Sequence, residues 1–475
     1  MLTDRHAPQD LFTQIPGRRL QFEPLLAQLD RLLEDDALFQ RVKADFARRF
    51  PHTPTRGRPS TPVEALLRLL VVKHLYQWSF QATEYWVSDS LSLRQFCRVY
   101  WEAVPDHTTL DKWARLLGPE TLAALNARVL TLATEHQLTR GRKLRVDTTV
   151  IETNIHPPAD SSLLTDGVRR LGRLLQRAAS VLGAAAAPAQ PWFRDRTRAM
   201  RQRSGQVRRL YRTRGLSEAE RKAALQRIYA GLLQVARRSR AQGERVLAAL
   251  RERATGLAQT AGKAGKQAAQ LAQQLAGWLP LLGQAIDQAR RRVLLGERVP
   301  AGEKIVSLFE PHTQIISRGK AGDRVEFGRK LLLEEVEGGL ISGYAVLPEA
   351  GADAGHLPDS LARHQAQFGR APDLVTADRG FATAANREAA RAAGVKRLAI
   401  PYVGKAPPEA KERWFRAGYR WRAGVEGRIS LLGRRFGQKR ALYPGERGLC
   451  RWVGWGILAH NLWQTGRVLA AQQAS

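Results

Sequence analysis

Three carboxylates in this chain sit where a carboxylate needs a reason. Asp147 interrupts "KLRVDTTVIETNIH", where Leu144, Val146, Thr148 and Val150 alternate and β-branched residues are frequent, the pattern of a strand. A buried carboxylate in a strand is costly unless a backbone donor, an arginine or a metal ion compensates it. Asp378 ends the short apolar run of "DLVTADRGF", and Glu426 lies in the helical stretch "YRWRAGVEGRISLLGRRFG". Singly, each has a plain structural role. Asp147 can serve a turn or cap, Asp378 can cap the following helix, and Glu426 can pair with Arg422 one turn earlier. Jointly, two strand-borne aspartates and one helix-borne glutamate suit phosphodiester chemistry. That chemistry needs an activated attacking oxygen and a stabilised leaving oxygen. Two magnesium ions about 3.5–4 Å apart supply both, and magnesium takes oxygen ligands, usually one or two carboxylates with water and phosphate.

The elements that must position these groups are legible in outline. Residues 21–50 read as an amphipathic helical segment, and "PHTPTRGRPSTP" as a basic, proline-rich linker. Thr61 and Glu64 form a capping-box pattern around Pro62, predicting a helix through "VEALLRLLVVKHLYQW". "QATEYWVSD" and "LSLRQFCRVY" follow as shorter helices, and Thr108 with Asp111 is placed to cap another. Such an array resembles helix-turn-helix units that contact DNA, or a bundle that only supports something else; the basic linker favours DNA. After the strand at 143–151, residues from about 163 to 300 are helical or low in complexity. "GAAAAPAQP" is a linker, and nine arginines against one aspartate crowd 194–214. That run is either a solvated face or a track for phosphates. Ser217 and Glu220 form a second capping box. Leu225, Ile228, Tyr229 and Leu232, then Leu271, Leu275, Trp278 and Leu282, form stripes expected to pack as a helical hairpin, with a kink at Pro280.

From 304, "KIVSLFEP", "TQIISRGK", "VEFGRKLLLEEVE" and "GLISGYAVLP" read as consecutive strands. A helix fits 357–369, a strand precedes Asp378, and "TAANREAARAAGV" and "KRLAIPY" read as helix and strand. Helix dominates about 409–437, and "LCRWVGWGILAHNLWQTGRVL" closes the chain as an apolar helix.

The totals agree. With 76 Lys and Arg against 44 Asp and Glu, the net charge is +32, which attracts polyanions. Nucleic acid is the expected partner and an anionic membrane surface the second. No apolar span of about 20 residues predicts a bilayer crossing, the first residues lack the apolar core of a signal peptide, and Cys97 and Cys450 make neither a zinc motif nor a disulfide framework. A reducing cytoplasm fits.

The segment "VDTTVIETNIHPPADSSLLTDGV", then "TADRGF", then tyrosine, arginine and glutamate at the spacing of Tyr419, Arg422 and Glu426, resembles the DDE transposases of bacterial insertion sequences, in particular the ISNCY-like group. Residues 20–118 are similar to the InsH-type N-terminal domain of such transposases. The family's basic residue seven places after the glutamate is replaced by Gly433, with Arg434 and Arg435 next. The resemblance implies an α/β fold with a ribonuclease-H-like catalytic domain over 140–160 and 303–440. A long all-helical, basic insertion over 161–302 follows its first strand. An all-α, helix-turn-helix-like N-terminal domain over 1–120 precedes it, and a C-terminal helix covers 441–475. It implies Asp147, Asp378 and Glu426 as catalytic residues and ligands of two Mg2+ ions, for which Mn2+ can substitute. DNA contacts are expected from Arg422, Tyr419, Arg434 and Arg435, and from Arg194, Arg196, Arg198 and Arg201. The implied reaction is hydrolysis at the ends of the element and attack of the freed 3′-hydroxyls on target DNA. The expected partner is double-stranded DNA bound by a homodimer or larger assembly in the bacterial cytoplasm, at the nucleoid. A nuclease without strand transfer and a captured, non-catalytic DNA binder are the alternatives. His156 and His312 are not needed as bases in a metal mechanism.

Overall fold

A computed structural model of the chain describes residues 1–14, 22–48, 59–183, 192–257, 263–317, 325–349, 351, 353–401 and 406–474. The chain divides into two compact units, Met1–Asn154 with Gly328–Ser475, and Ile155–Phe327.

The first unit opens with helices started by local polar groups. Proline stands at the start of α1 (Pro24–Leu32), and Asp35 caps α2 (Asp36–Ala47) by accepting from the Leu38 N–H at 3.0 Å. That cap divides the single segment expected over 21–50, because the chain turns at Leu33–Asp35 and restarts. α3 (Val63–Leu75) begins with Pro62 at its cap and no side-chain cap bond. The expected Thr61–Glu64 box does not form, since the Glu64 carboxylate turns to Arg68 at 3.1 Å and Arg5 at 3.6 Å. Residues 51–58 of the basic linker lie outside the described residues. Ser79 caps α4 (Phe80–Asp89) and Ser90 caps α5 (Leu91–Phe96). Asp106 caps α6 (His107–Ala114), in place of the expected Thr108–Asp111 pair; Asp111 bonds Arg115 instead. α7 (Pro119–Glu135) leads into β1 (Lys143–Thr153).

The second unit is helical. α8 (Asp160–Leu182), α9 (Thr197–Arg212), α10 (Glu218–Leu257) and α11 (Lys263–Ala289) share a core that includes Leu171, Leu175, Leu232, Leu275 and Leu282. The linker expected at 183–191 lies, from 184 on, outside the described residues. The Ser217–Glu220 box forms reciprocally, at 2.9 and 3.3 Å. α11 continues on both sides of Pro280. The strand expected for "KIVSLFEP" is absent. Ile305 and Leu308 join the helical core instead, and the Ile305 N–H bonds the Gln288 side chain at 2.8 Å. Alternating apolar residues in an irregular segment can bury against helices as readily as against a sheet. β2 (Gln314–Ser317) follows.

The first unit resumes with β3 (Val325–Val336) and β4 (Leu340–Val346), a hairpin turned at Gly338 and Gly339, whose φ values of 83° and 75° suit glycine. Then come α12 (Leu357–Phe368), β5 (Leu374–Ala377), α13 (Ala384–Ala392), β6 (Arg397–Ala399), α14 (Arg413–Ala423), α15 (Val425–Arg435), β7 (Arg440–Ala441) and α16 (Glu446–Ala474). Helix dominates 409–437 as expected, with α14 and α15 separated at Gly424. Adjacent strands run β4-β3-β1-β5-β6. β3 is antiparallel to β1 and to β4, whereas β5 is parallel to β1 and β6 parallel to β5. The fold is mixed α/β with a mixed sheet. Among the described residues no helix is long and apolar enough to cross a membrane.

α16 ties the N-terminal helices to the sheet. Leu29, Leu66, Val129, Trp455, Leu458, Ile341 and Leu333 belong to one buried cluster. His74 of α3 stacks on Trp455 at 4.9 Å. Asn461 closes the polar side of this junction. It donates to Asn126 of α7 (2.7 Å) and to the Ile341 carbonyl of β4 (2.8 Å), and accepts from the Ile341 N–H (2.9 Å). Asn461→Leu is expected to leave buried groups unpaired and to lower stability by about 2–3 kcal/mol, read from the shift in urea midpoint. A change below about 0.5 kcal/mol would show that the network does not hold the junction.

Candidate active site

β1 and β5 are parallel neighbours with Val146 opposite Ala377. The next residue on each strand is therefore Asp147 and Asp378, side by side on adjacent strands roughly 4.8 Å apart. The backbone holds both carboxylates locally. Asp147 accepts from the Thr148 N–H at 2.7 Å, and Asp378 from the Gly380 N–H at 2.7 Å. The capping role open to Asp378 is thus partly realised, on the short 3-10 turn Arg379–Phe381. Phe381 is fully buried and anchors that turn.

A third aspartate, Asp353, reaches the same place. It accepts from the Thr148 hydroxyl at 2.9 Å and pairs with Lys330 at 2.9 Å. Gly380 lies between: a Cβ there would come 3.0 Å from the Asp378 Oδ1 and 3.6 Å from the Asp353 Oδ2. Burial pushes the Asp147 carboxyl up to about 6, and the charges of Asp378 and Asp353 act in the same direction. The Thr148 N–H and the Arg422 guanidinium oppose that rise.

Arg422 stands in the last turn of α14 with its guanidinium over the Tyr419 ring at 5.4 Å. Its Nε is buried without a hydrogen-bond partner. Glu426 is exposed in the first turn of α15. The helix breaks between them at Gly424, so they do not share one uninterrupted helix face, and they form no ion pair among the described residues. Arg434 and Arg435 are exposed at the far end of α15. Beside α14, Arg413, Arg416, Arg420, Phe415 and Tyr419 line an open cavity of about 680 Å³.

What sets α14 and α15 on the sheet is a buried ion triad. Glu335 of β3 accepts from Arg145 of β1 at 2.8 and 2.5 Å and from Arg428 of α15 at 3.1 Å. Arg145 also donates to the Trp421 carbonyl at 2.5 Å. A Cβ at Gly424 would stand 2.9 Å from the Arg145 guanidinium, so the glycine leaves that guanidinium its place. Asp353, Lys330, Glu335, Arg145 and Arg428 are absent from the residues singled out by sequence. The signal for Glu335 was present: "LLLEEV" sets two carboxylates in an apolar strand, the same anomaly as Asp147.

The donors fit magnesium in kind. Two adjacent carboxylates, one with a raised pKa from crowded negative charge, offer hard oxygen ligands whose repulsion a cation relieves. Among the described residues no three His, Cys, Asp or Glu side chains stand together as a formed metal site. His156 is exposed and pairs with Asp166 at 2.9 Å, and His312 lies by Glu310 at 3.6 Å.

In the second unit, Arg198 and Arg201 of α9 line a cavity of about 460 Å³ with Arg169 and Arg173 of α8. Arg194, Arg198 and Arg201 are exposed. Arg196 bonds the Gln242 side chain, and burial, then the charges of Arg194, Arg238 and Arg245, hold its guanidinium below the ordinary value.

Residues 14–116 match the model of the family described as Transposase domain (DUF772). The match lies across the N-terminal helices and supports a transposase family. No curated protein and no solved structure matches the chain.

The raised Asp147 pKa makes a stability prediction. Between the unfolded value of 3.8 and about 6, the folded protein keeps a proton that the unfolded chain has released. Stability from this group therefore falls as pH rises through that window, and the penalty is complete above it. Asp147→Asn removes the penalty. In metal-free buffer it is expected to stabilise by about 2–3 kcal/mol at pH 8 and not at all near pH 3.5, measured by urea unfolding. Equal stabilisation at both pH values would sink the assignment.

Proposed function

We propose that the chain is a DDE-type DNA transposase, cutting the ends of an insertion sequence and joining them to target DNA. The observation that carries this reading is the juxtaposition of Asp147 and Asp378 under the charge of Arg422, in a chain whose N-terminal helices match a transposase family. The strand order β4-β3-β1-β5-β6, with one aspartate on the central strand and the other at the end of its parallel neighbour, supports a ribonuclease-H-like catalytic domain.

Asp147, Asp378 and Glu426 would hold two Mg2+ ions, or Mn2+ in their place. Bound metal would activate the attacking oxygen and stabilise the leaving one. The chain's own groups do the rest. Arg422, whose charge acts on Asp147, would face a non-bridging oxygen of the scissile phosphate with its planar guanidinium. Tyr419 supports that guanidinium from below, and Thr148 and Gly380 hold the carboxylates in position through backbone donors. Arg434, Arg435 and the arginines beside α14 grip the flanking backbone. The helical insertion, with Arg194, Arg196, Arg198 and Arg201, adds affinity independent of sequence. The working form is a homodimer or larger assembly on double-stranded DNA in the bacterial cytoplasm.

The direct test incubates purified protein with its flanking genomic ends and Mg2+. Cleavage exposing 3′-hydroxyls is expected, followed by joining to a target duplex. Pre-cleaved ends that are never joined would leave a nuclease instead. Asp147→Ala, Asp378→Ala and Glu426→Ala are each expected to abolish cleavage while keeping end binding within about two-fold, because removing a carboxylate does not weaken attraction to phosphate. Any variant that cuts at the wild-type rate removes its residue from the site.

The insertion makes a separate prediction. Each phosphate neutralised contributes about 0.9 to the slope of log affinity against log salt for duplex DNA. Replacing Arg194, Arg196, Arg198 and Arg201 with glutamine is expected to flatten that slope by up to about 3.6. An unchanged slope would make the run a solvated face.

A further inference from the structure

The end of α3 carries a step of stacked aromatic rings that the chemistry above does not use. Gln77 adopts a left-handed conformation, φ 57°, and the Trp78 N–H bonds back to the Lys73 carbonyl at 2.9 Å. This turn brings Tyr76 and Trp78 face to face, with centroids 4.7 Å apart and planes 18° apart. Trp86 of α4 continues the step beyond Trp78, at 6.1 Å and 28°, and Tyr85 meets Trp86 edge-on at 5.1 Å. Trp78 is anchored against the core, whereas Tyr76, Trp86 and Tyr85 are 37%, 45% and 62% exposed.

Cations flank the step. Gly437 packs against Gln77 so closely that any side chain there would run into the Gln77 amide. On either side of Gly437, Arg434, Arg435 and Lys439 are exposed and carry no ion pair among the described residues. Burial and then the negative charge of Glu23 push the Tyr76 hydroxyl up, and the positive charge of Arg435 acts against them.

We propose that this step binds single-stranded DNA, stacking unpaired bases on Tyr76 and Trp86 while Arg434, Arg435 and Lys439 hold the adjoining phosphates. Flat aromatic faces beside exposed cations are what single-strand recognition needs, since every base has a π-face and every linkage a negative charge. A second copy of the chain is the poorer occupant. It would bring a net charge of +32 and the same three cations against themselves. The placement also fits the function proposed above, on which its biological meaning rests. α15 joins Glu426 to Arg435, and at about 1.5 Å per residue that path is about 13 Å long. At about 3.4 Å per nucleotide, this is roughly four nucleotides. The bases captured would be those unpaired a few nucleotides from the cut.

The test measures binding of the full chain to labelled oligo-dT and, separately, to duplex end DNA, by fluorescence anisotropy at fixed salt. Trp86→Ala and Tyr76→Ala are each expected to weaken oligo-dT binding by about ten-fold or more and leave duplex affinity within about two-fold. Trp86→Phe, which keeps a ring, should retain most of the affinity. Three results would overturn the proposal. One is unchanged oligo-dT binding by Trp86→Ala. Another is an equal loss on both DNAs, which marks a general defect. The third is a dimer in size-exclusion chromatography that Trp86→Ala dissociates, which gives the face to a second copy. Cleavage is read independently. Wild-type protein that captures oligo-dT through these rings but never cuts its ends would sink the transposase reading and leave the step standing. Cutting with no ring-dependent capture would do the reverse.

Discussion

Glu335 and the two arginines that clasp it are the constraint on which the site depends. The carboxylate is buried in β3, one guanidinium comes from β1 and the other from α15. Burying three ionised groups is expensive, and such a triad adds little net stability compared with apolar packing. Its return is specificity of position. Breaking it on one side leaves an uncompensated buried charge, so the helix pair has one acceptable seat on the sheet. Because Arg145 also grips the Trp421 carbonyl, the seat fixes the last turn of α14, where Arg422 begins, and the first turn of α15, where Glu426 begins. The arginine beside the aspartates is thus placed through residues on a neighbouring strand and helix.

The aspartates need no such device. Their adjacency follows from parallel register alone, since Val146 opposite Ala377 makes the next pair Asp147 and Asp378. What the fold adds is discomfort. Asp147 sits half-buried beside two further carboxylates, one neutralised by Lys330 and one not paired among the described residues. A site that keeps negative charge crowded without ligand is primed for a cation, and Arg422 supplies only part of the compensation. The same logic explains Gly380, where a larger residue would intrude among the oxygens.

Much of this was readable from residue order. The strand around Asp147, the hairpin after 325, the strand ending at Asp378 and the closing apolar helix all lie where periodicity puts them. These segments alternate or run apolar along their whole length, so their patterns are clean. Misreadings cluster where tertiary contacts override local signals. Glu64 looked like a capping residue until Arg68, drawn inside with α3, claimed it. "KIVSLFEP" alternates like a strand but lies on helices. Arg422 reads as lying one helical turn before Glu426, but the helix breaks between them at Gly424, which stands against the guanidinium of Arg145, nearly 280 positions earlier. Asp353 was invisible for a similar reason: it lies in a short turn with no period, and only the folded sheet brings Thr148 and Lys330 to it.

Charge is the last link between these features. The first unit concentrates carboxylates around Asp147, and the second concentrates guanidiniums along α8, α9 and α10, where burial first and then the charges of Arg194, Arg238 and Arg245 lower the pKa of Arg196. Each crowd is destabilising by itself, and each is relieved by what the proposed reaction brings, a divalent cation for the first and a phosphate backbone for the second. Any ligand that binds only the folded state stabilises it in proportion to its occupancy. On this reading, the free protein stores electrostatic strain of opposite sign in its two units. In the first unit, a phosphate bound beside the aspartates adds negative charge there, which sharpens their demand for metal. DNA and cation are then expected to bind the first unit with positive coupling, each raising the affinity of the other by the same factor. Such coupling would leave the carboxylates poorly metallated until a phosphodiester is in place.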